Sequence, residues 1–437
     1  MKRQYTKMAC SKSELQLFDI PFTQLSVESN LYSRISSLQA SNKSSLAPIE
    51  FLITSSSEYF LDPSNINLYA RISIKDRQNI PIKNENELYF ENNILHSMFN
   101  EIEIYLNDTK ISSGGGNYAY RAFFENLFSF SSEEKLSKLI AEGFYPASEK
   151  SKVISKFKSY NSKTIEVYGR LHLDIFFQPR LILSGCDIRL KLHKQSSAFC
   201  IKSASASSDI LSGIDASNLY IDFEEIYLDV RKVKLTPHSY LDIEKSLNHS
   251  PAKYPISRPD LKSFTLNKGI SSQIINHVAV GKLPTRILFG LVTHSSYNGN
   301  ISESGLKFYH HNLKSASIYL NGSLFAYPII CDYSDEQNTR SLHLRAYKSI
   351  FSELSGDSDI CDITYDDYKD NYCIYAFDLS QDRCVNSFDH VNPVQNGDLS
   401  ISLEFKKPLD KNLTLITYTE FPGIVQLDKT RTAFTDF

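Results

Sequence analysis

The sequence predicts an all-β chain built as two tandem sandwiches of similar plan, and three observations predict it. Short segments alternate apolar and polar residues at the period of a strand, helical signals are few, and one set of motifs recurs in the same order about 215 residues further on. The 437 residues exceed one ordinary domain and suit two of about 200 residues each. With 27 Phe and 26 Tyr but no Trp, the aromatic residues favour strands and large buried contacts.

The strand signal is clearest at residues 67–74 (NLYARISI), 101–106 (EIEIYL), 170–177 (RLHLDIFF), 187–192 (DIRLKL) and 398–405 (DLSISLEF). Each reads as a half-buried antiparallel strand. In 170–177, alternation puts Leu171, Leu173 and Ile175 on one face and His172 and Asp174 on the other, towards solvent or a neighbouring subunit. A capping box, Ser131 with Glu134, opens a helix that runs through Leu136, Leu139 and Ile140 and stops at Gly143. Shorter helices are expected near Tyr120 and Leu344. Isolated helices among many strands decorate a β scaffold rather than build βαβ units.

The repeat fixes the organisation. IYLN stands at 104–107 and again at 318–321, each copy followed by an Arg-Ala-aromatic segment at Arg121 and Arg345. Later, 185–192 (GCDIRLKL) parallels 397–403 (GDLSISL). A period this long is no solenoid repeat; it implies two copies of a whole domain. The expected division is an N-terminal arm at 1–16, a first domain at 17–235 and a second at 236–437, joined where Pro237 ends a strand-like run. The Ser-rich stretch 203–213 reads as a surface loop. Eight-stranded jelly rolls with short inserted helices fit domains of this size, whereas immunoglobulin-like sandwiches of about 100 residues leave too much chain over.

Charge is nearly balanced, 47 Lys and Arg against 50 Asp and Glu, which argues against a dedicated nucleic-acid binder. The basic strip Lys150, Lys152, Lys156, Lys158 and Lys163 reads as a solvated loop. Seven cysteines (Cys10, Cys186, Cys200, Cys331, Cys361, Cys373 and Cys384) form no CxxC pair, so reduced thiols are expected. The basic N-terminus lacks the apolar stretch of a signal peptide, and no run approaches the roughly 18 apolar residues of a membrane span. Synthesis inside the cell without secretion is expected.

Several constellations invite a chemical reading and none completes one. The glycine-rich 113–117 (SGGGN) sits between strand and helix, where amides can cradle phosphate, but no GKS or GKT follows and the second copy of the repeat lacks the glycines. His172 and Asp174 form the His-x-Asp pair of jelly-roll iron oxygenases, with His249 and Arg258 as third ligand and co-substrate anchor; those two fall in the second copy. His310 and His311 adjoin each other, too close in sequence to share a metal from one strand or helix face. Cys361, Cys373 and Cys384 lack zinc-site spacing, and Asp366, Asp367, Asp332 and Asp335 read as turn acids. No catalytic residue, cofactor or metal set is expected, and the chain reads as a non-enzyme. An iron oxygenase or a carbohydrate-binding module is the competing reading.

Longer motifs carry a resemblance. Residues 17–29 (LFDIPFTQLSVES), 48–53 (PIEFLI), 95–108 (LHSMFNEIEIYLND), 118–128 (YAYRAFFENLF), 169–192, 230–237, 253–258 (KYPISR), 371–380 (NYCIYAFDLS) and 428–437 (DKTRTAFTDF) resemble the double jelly-roll major capsid proteins of Polinton (Maverick) elements and adintovirus-like relatives. That group is related to the capsid proteins of virophages and to adenovirus-type hexons. The resemblance implies an icosahedral capsid protein whose homotrimers form pseudo-hexagonal capsomers. Neighbouring capsomers and a penton protein would be its partners, with packaged DNA touched only indirectly. It supplies no catalytic residues. The segments 110–145 and 323–352 are expected at trimer contacts or on the capsomer top.

Overall fold

The computed structural model describes residues 23–38, 47–77, 88–112, 115–153, 164–203, 218–333, 343–352, 363–383 and 392–435. The eight principal strands of the first half are Val27–Ser36, Ile49–Ile53, Tyr59–Asp76, Phe99–Leu106, Thr109–Lys110, Thr164–Arg170, Ile188–Lys194 and Leu219–Leu235. They form two antiparallel four-stranded sheets. One runs first, eighth, third, sixth; the other runs second, seventh, fourth, fifth. The eight of the second half are Ala252–Leu266, Ser272–Lys282, Arg286–Thr293, Leu313–Leu320, Ser323–Leu324, Ile374–Asp378, Asn396–Phe405 and Leu413–Leu427, and their sheets repeat the same two orders. This connectivity, with the last strand returning beside the first, is the jelly roll, present twice. Short accessory strands widen it: Leu88–Phe90 pairs Ile201–Ser203, Ile329–Ile330 pairs Leu313–Leu320, and Ala433–Thr435 pairs Leu413–Leu427.

The repeated motifs meet each other in space. Asn107 and Asn321 end the fourth strand of their jelly rolls in the left-handed region, at φ of 50° and 52°. This conformation is one that Asn tolerates better than most residues. The Asn107 amide donates to the Asp187 carbonyl at 2.8 Å, and the Asp187 amide returns a bond to Asn107 Oδ1 at 2.8 Å. Asn321 and Asp398 exchange the same two bonds, each at 2.9 Å. The structural equivalence is therefore Asp187 with Asp398, which pairs Cys186, not Gly185, with Gly397. A Cβ at Gly397 would meet Asn321 Oδ1 at 2.5 Å, so this turn admits only glycine there without a shift.

Helices are inserted after the fifth strand in both halves, Tyr118–Ser129 in the first and Leu344–Ser352 in the second. The capping box is formed by Ser131 and Glu134, and the helical stretch to Gly143 divides into Ser132–Leu136 and the 3-10 turn Lys138–Glu142. The strand-like run ahead of Pro237 is the strand Leu219–Leu235, and Pro237 is the first residue of a helix, Pro237–Leu247, where its missing N–H costs nothing. The strand expected at 170–177 is corrected. The ladder stops at Arg170, and Asp174–Phe177 is a 3-10 turn. The His172 amide donates to the Tyr118 hydroxyl at 3.0 Å instead of to a neighbouring strand, and Arg121 pairs with the Asp174 carboxylate at 2.6 Å.

One continuous apolar core runs through both sandwiches. Its bridge is aromatic: Phe308 of the second half, fully buried, lies against Tyr120, Phe123 and Phe124 of the Tyr118–Ser129 helix, with ring centroids 6.2, 6.2 and 5.1 Å away. Among the described residues no helix is long and apolar enough to cross a membrane.

Candidate functional site

Polar groups collect where the Tyr118–Ser129 helix meets the segment after Arg170. Helical spacing puts Arg121 and Glu125 on one face, four residues apart, with Nε donating to Glu125 Oε1 at 2.9 Å. Glu125 also receives His172 Nδ1 at 2.5 Å and, from the second jelly roll, the Tyr418 hydroxyl at 3.5 Å. Burial alone would raise the Glu125 carboxyl, but Arg121 and His172 outweigh it and hold it down at about 2. Asp174 goes the other way: its burial outweighs the close Arg121 guanidinium, so its carboxyl titrates above the ordinary value. Truncating one member of such a buried charge set is expected to cost about 3–5 kcal/mol, because the remaining charge is left without its partner.

A second set adjoins it. His96, fully buried, lies in the short helix Ile94–Ser97; Nδ1 pairs with the Tyr118 hydroxyl at 3.0 Å and Nε2 with Glu142 Oε2 at 3.1 Å. Asn126 donates from Nδ2 to the same Glu142 oxygen at 3.0 Å. Burial depresses the His96 imidazole below its usual pKa, against the pull of Glu142. His96 and His172 stand edge to face, ring centroids 4.7 Å apart. Their position, with Glu142, is set by Gly143, which turns the chain at φ 75°, and by Gly169, where a Cβ would strike Glu142 Cγ at 2.5 Å.

The structure thus places His172 and Asp174 differently from the expectation. Neither lies on an exposed strand face; both are buried, and each is tied to the inserted helix. His249 is exposed at the end of the Pro237–Leu247 helix and is not brought to them. Arg258 is near enough to Asp174 to be felt electrostatically and stacks over Phe421 at 5.5 Å. Sequence reasoning missed His96, Glu125 and Glu142. No short motif links them, and only the Arg121–Glu125 spacing was open to reading.

The other candidates dissolve into structure. In the glycine-rich loop the Gly115 amide donates to Glu101 Oε1 at 3.1 Å, so a carboxylate already occupies the donor a phosphate would need; residues 113 and 114 lie outside the described residues. His310 is buried between Tyr309 and Tyr333, ring centroids 4.0 and 4.2 Å away. Asp332 pairs with Lys406 at 2.9 Å, and Asp366 and Asp367 sit in the first turn of a helix whose cap is Thr364. Cys186, Cys200, Cys331 and Cys373 are buried free thiols, and burial raises all four. Lys152 pairs with Glu149, and Lys150 lies over the Tyr89 ring. Cys10, Cys361, Cys384, Asp335, Lys156, Lys158, Lys163 and the arm at 1–16 lie outside the described residues. The inserted helix Tyr118–Ser129 is buried within the chain along most of its length, because both jelly rolls pack on it.

A larger open feature lies on the second jelly roll. A groove of about 580 Å³ is lined by Leu324, Phe325, Tyr327, Ile329, Arg345 and Phe377, among others. Around it Tyr327 is 81% exposed and Ile330 65%, values that are high for large apolar side chains.

No protein-family model matches the chain. An uncharacterized protein of Caenorhabditis elegans is 25% identical over 405 residues, 89% of this chain and 93% of that protein. Among solved structures, a chain of the Sputnik virophage is similar over 98% of this chain and 93% of its own length, with a TM-score of 0.64 at 10% identity. A chain of the PBCV-1 virus capsid is similar over 96% and 99%, with a TM-score of 0.60 at 9% identity. The mavirus major capsid protein is similar over 93% and 90%, with a TM-score of 0.52 at 9% identity. With the strand orders above, these likenesses make the chain an all-β double jelly roll, the fold of viral major capsid proteins.

Proposed function

We propose that the chain is a major capsid protein that self-assembles as homotrimers into an icosahedral shell, and that it is not an enzyme. The observation that carries this reading is the duplication itself: two jelly rolls of identical strand order in one polypeptide. Three such chains present six similar domains, so a trimer imitates a hexagon and tiles a flat facet. The near end-to-end likeness to chains from the Sputnik virophage and the PBCV-1 capsid supports it. The sequence resemblance supports a reading as the capsid protein of a Polinton (Maverick) element, with proposed domains at 17–235 and 236–437 and residues 1–16, outside the described residues, proposed as an arm. Neighbouring capsomers and a penton protein are its partners in a virion made inside the host cell, and packaged DNA is contacted only indirectly.

Assembly on this scale needs apolar contact surface, since obligate interfaces commonly bury over ~2,000 Å². The exposed Leu324, Tyr327, Ile330 and Leu344 around the groove offer one patch. Leu31 and Tyr32, exposed on the edge strand Val27–Ser36, offer another. Size-exclusion chromatography with light scattering, followed by negative-stain microscopy, tests the proposal. A particle of about three times 49.8 kDa with hexagonal outline is expected. A stable monomer at micromolar concentration refutes it.

A further inference from the structure

We infer that His96, Glu142 and His172 form a binding site for a divalent zinc ion. One donor atom from each of the three lies within 4.8 Å of the other two. A tetrahedral zinc ion with ligands at about 2.0–2.1 Å holds its donors roughly 3.3 Å apart. His96 Nε2 and Glu142 Oε2 already stand at 3.1 Å, so only His172 has to close in. Two imidazoles and one carboxylate are the donor set of a borderline cation, which separates zinc from the all-oxygen sites of calcium and magnesium.

The groups behind the ligands point the same way. A metal-bound imidazole characteristically engages its other ring nitrogen with a carboxylate or another hydrogen-bonding group, which fixes the tautomer and the ring direction. His172 Nδ1 is held by Glu125 at 2.5 Å, and Nε2 has no hydrogen-bond partner among the described residues, which leaves its lone pair for a cation. His96 Nδ1 is held by the Tyr118 hydroxyl at 3.0 Å. Glu125 is in turn fixed by Arg121, and Glu142 by Asn126. All three ligands are thus pre-oriented on a packed scaffold. On binding, His96 Nε2 exchanges its bond to Glu142 for the metal and its proton passes to Nδ1, which then donates to the Tyr118 oxygen as the hydroxyl proton turns away. Phe177, 5.3 Å from the His172 ring and itself covered by Arg170, closes the outer side. Such an ion would pin three segments that no β-ladder joins: the Ile94–Ser97 turn, the end of the inserted segment at Glu142 and the irregular stretch after Arg170. The inference stands apart from the assembly reading.

The test uses the full chain, stripped with EDTA and desalted, then titrated with zinc chloride by calorimetry and checked by elemental analysis. One zinc per chain is expected. Glu142→Gln should lower the affinity at least ~100-fold, and Glu125→Gln, which touches no metal, by roughly 10–100-fold. His193→Gln, at a partly exposed histidine outside the site, should leave affinity unchanged. Cobalt(II) in place of zinc should show four-coordinate visible absorption that Glu142→Gln abolishes. Should Glu142→Gln fail to fold, wild-type stoichiometry and the Glu125→Gln shift decide. Absence of zinc binding by wild type, or binding equally tight in a folded Glu142→Gln, overturns the inference.

Discussion

Phe308→Ala should uncouple the two jelly rolls. The ring is fully buried, contacts three aromatic rings of the inserted helix, and packs against Gly290, where a Cβ would meet Phe308 Cδ1 at 2.5 Å. Emptying such a site costs about 3–5 kcal/mol, the transfer of the side chain plus the cavity that rigid neighbours leave. The aromatic pairs, each worth about 0.5–1.5 kcal/mol beyond burial, put the loss towards the upper part of that range. Because the lost contacts cross between sandwiches, the damage is to their coupling more than to either alone. Equilibrium urea unfolding, followed by circular dichroism and tyrosine fluorescence, should show one transition in wild type and two in Phe308→Ala, each with a smaller slope. Phe289→Ala is the control. Its ring pairs with Tyr375 and Phe377 inside the second jelly roll, so it should weaken that sandwich by a similar amount without splitting the wild-type transition at the junction. A single transition of unchanged slope in Phe308→Ala, with a loss below ~1 kcal/mol, would refute the bridge.

Two further outcomes follow from other particulars. Burial, helped by the positive surroundings of His311, Lys369 and His343, depresses His310 to about 3, and its Nδ1 accepts the Asn312 amide at 3.0 Å, a bond only the unprotonated ring can make. The unfolded chain takes up this proton near pH 6.5, so the His310 contribution is complete above that pH. It is lost as pH falls towards 3, at about 1.4 kcal/mol per pH unit. Denaturation midpoints at pH 7 and 5 should show a shallower decline in His310→Gln, and an unchanged decline would count against the assignment. At the repeated turns, Asn321→Gly should cost about 1 kcal/mol for the lost bond to Asp398. Asn321→Ala should cost 1–2 kcal/mol more, because alanine is strained at φ 52°. Thermal melts ranking Asn above Gly above Ala are expected here and at Asn107, and alanine matching glycine would sink the argument.

Much of the fold was legible without coordinates, because its signals are local. Alternation at residues 101–106, 187–192 and 398–405 reports burial on one sheet face, and a register slip would turn every one of those side chains outward. The Ser131–Glu134 box and the terminal Gly143 are short-range hydrogen-bond and backbone effects. The IYLN repeat declared the duplication, since both copies must make the same turn onto the same partner strand. The segment 170–177 misled because alternation says which faces differ and not what covers them. Its polar side is buried by the inserted helix, and Tyr118 draws its backbone out of the ladder. The helix at Pro237–Leu247 went unread because a proline that ends a strand and one that opens a helix look alike in sequence. The buried polar cluster was beyond reach for a further reason. His96, Glu125, Glu142 and His172 come from four separate segments of the first half, and their pairing arises only when those segments pack together. Sequence by itself determined the strands, their repetition and the class of the fold. The tertiary structure alone decided which buried charges meet, because a charge survives in the interior only where distant parts of the chain bring it a partner.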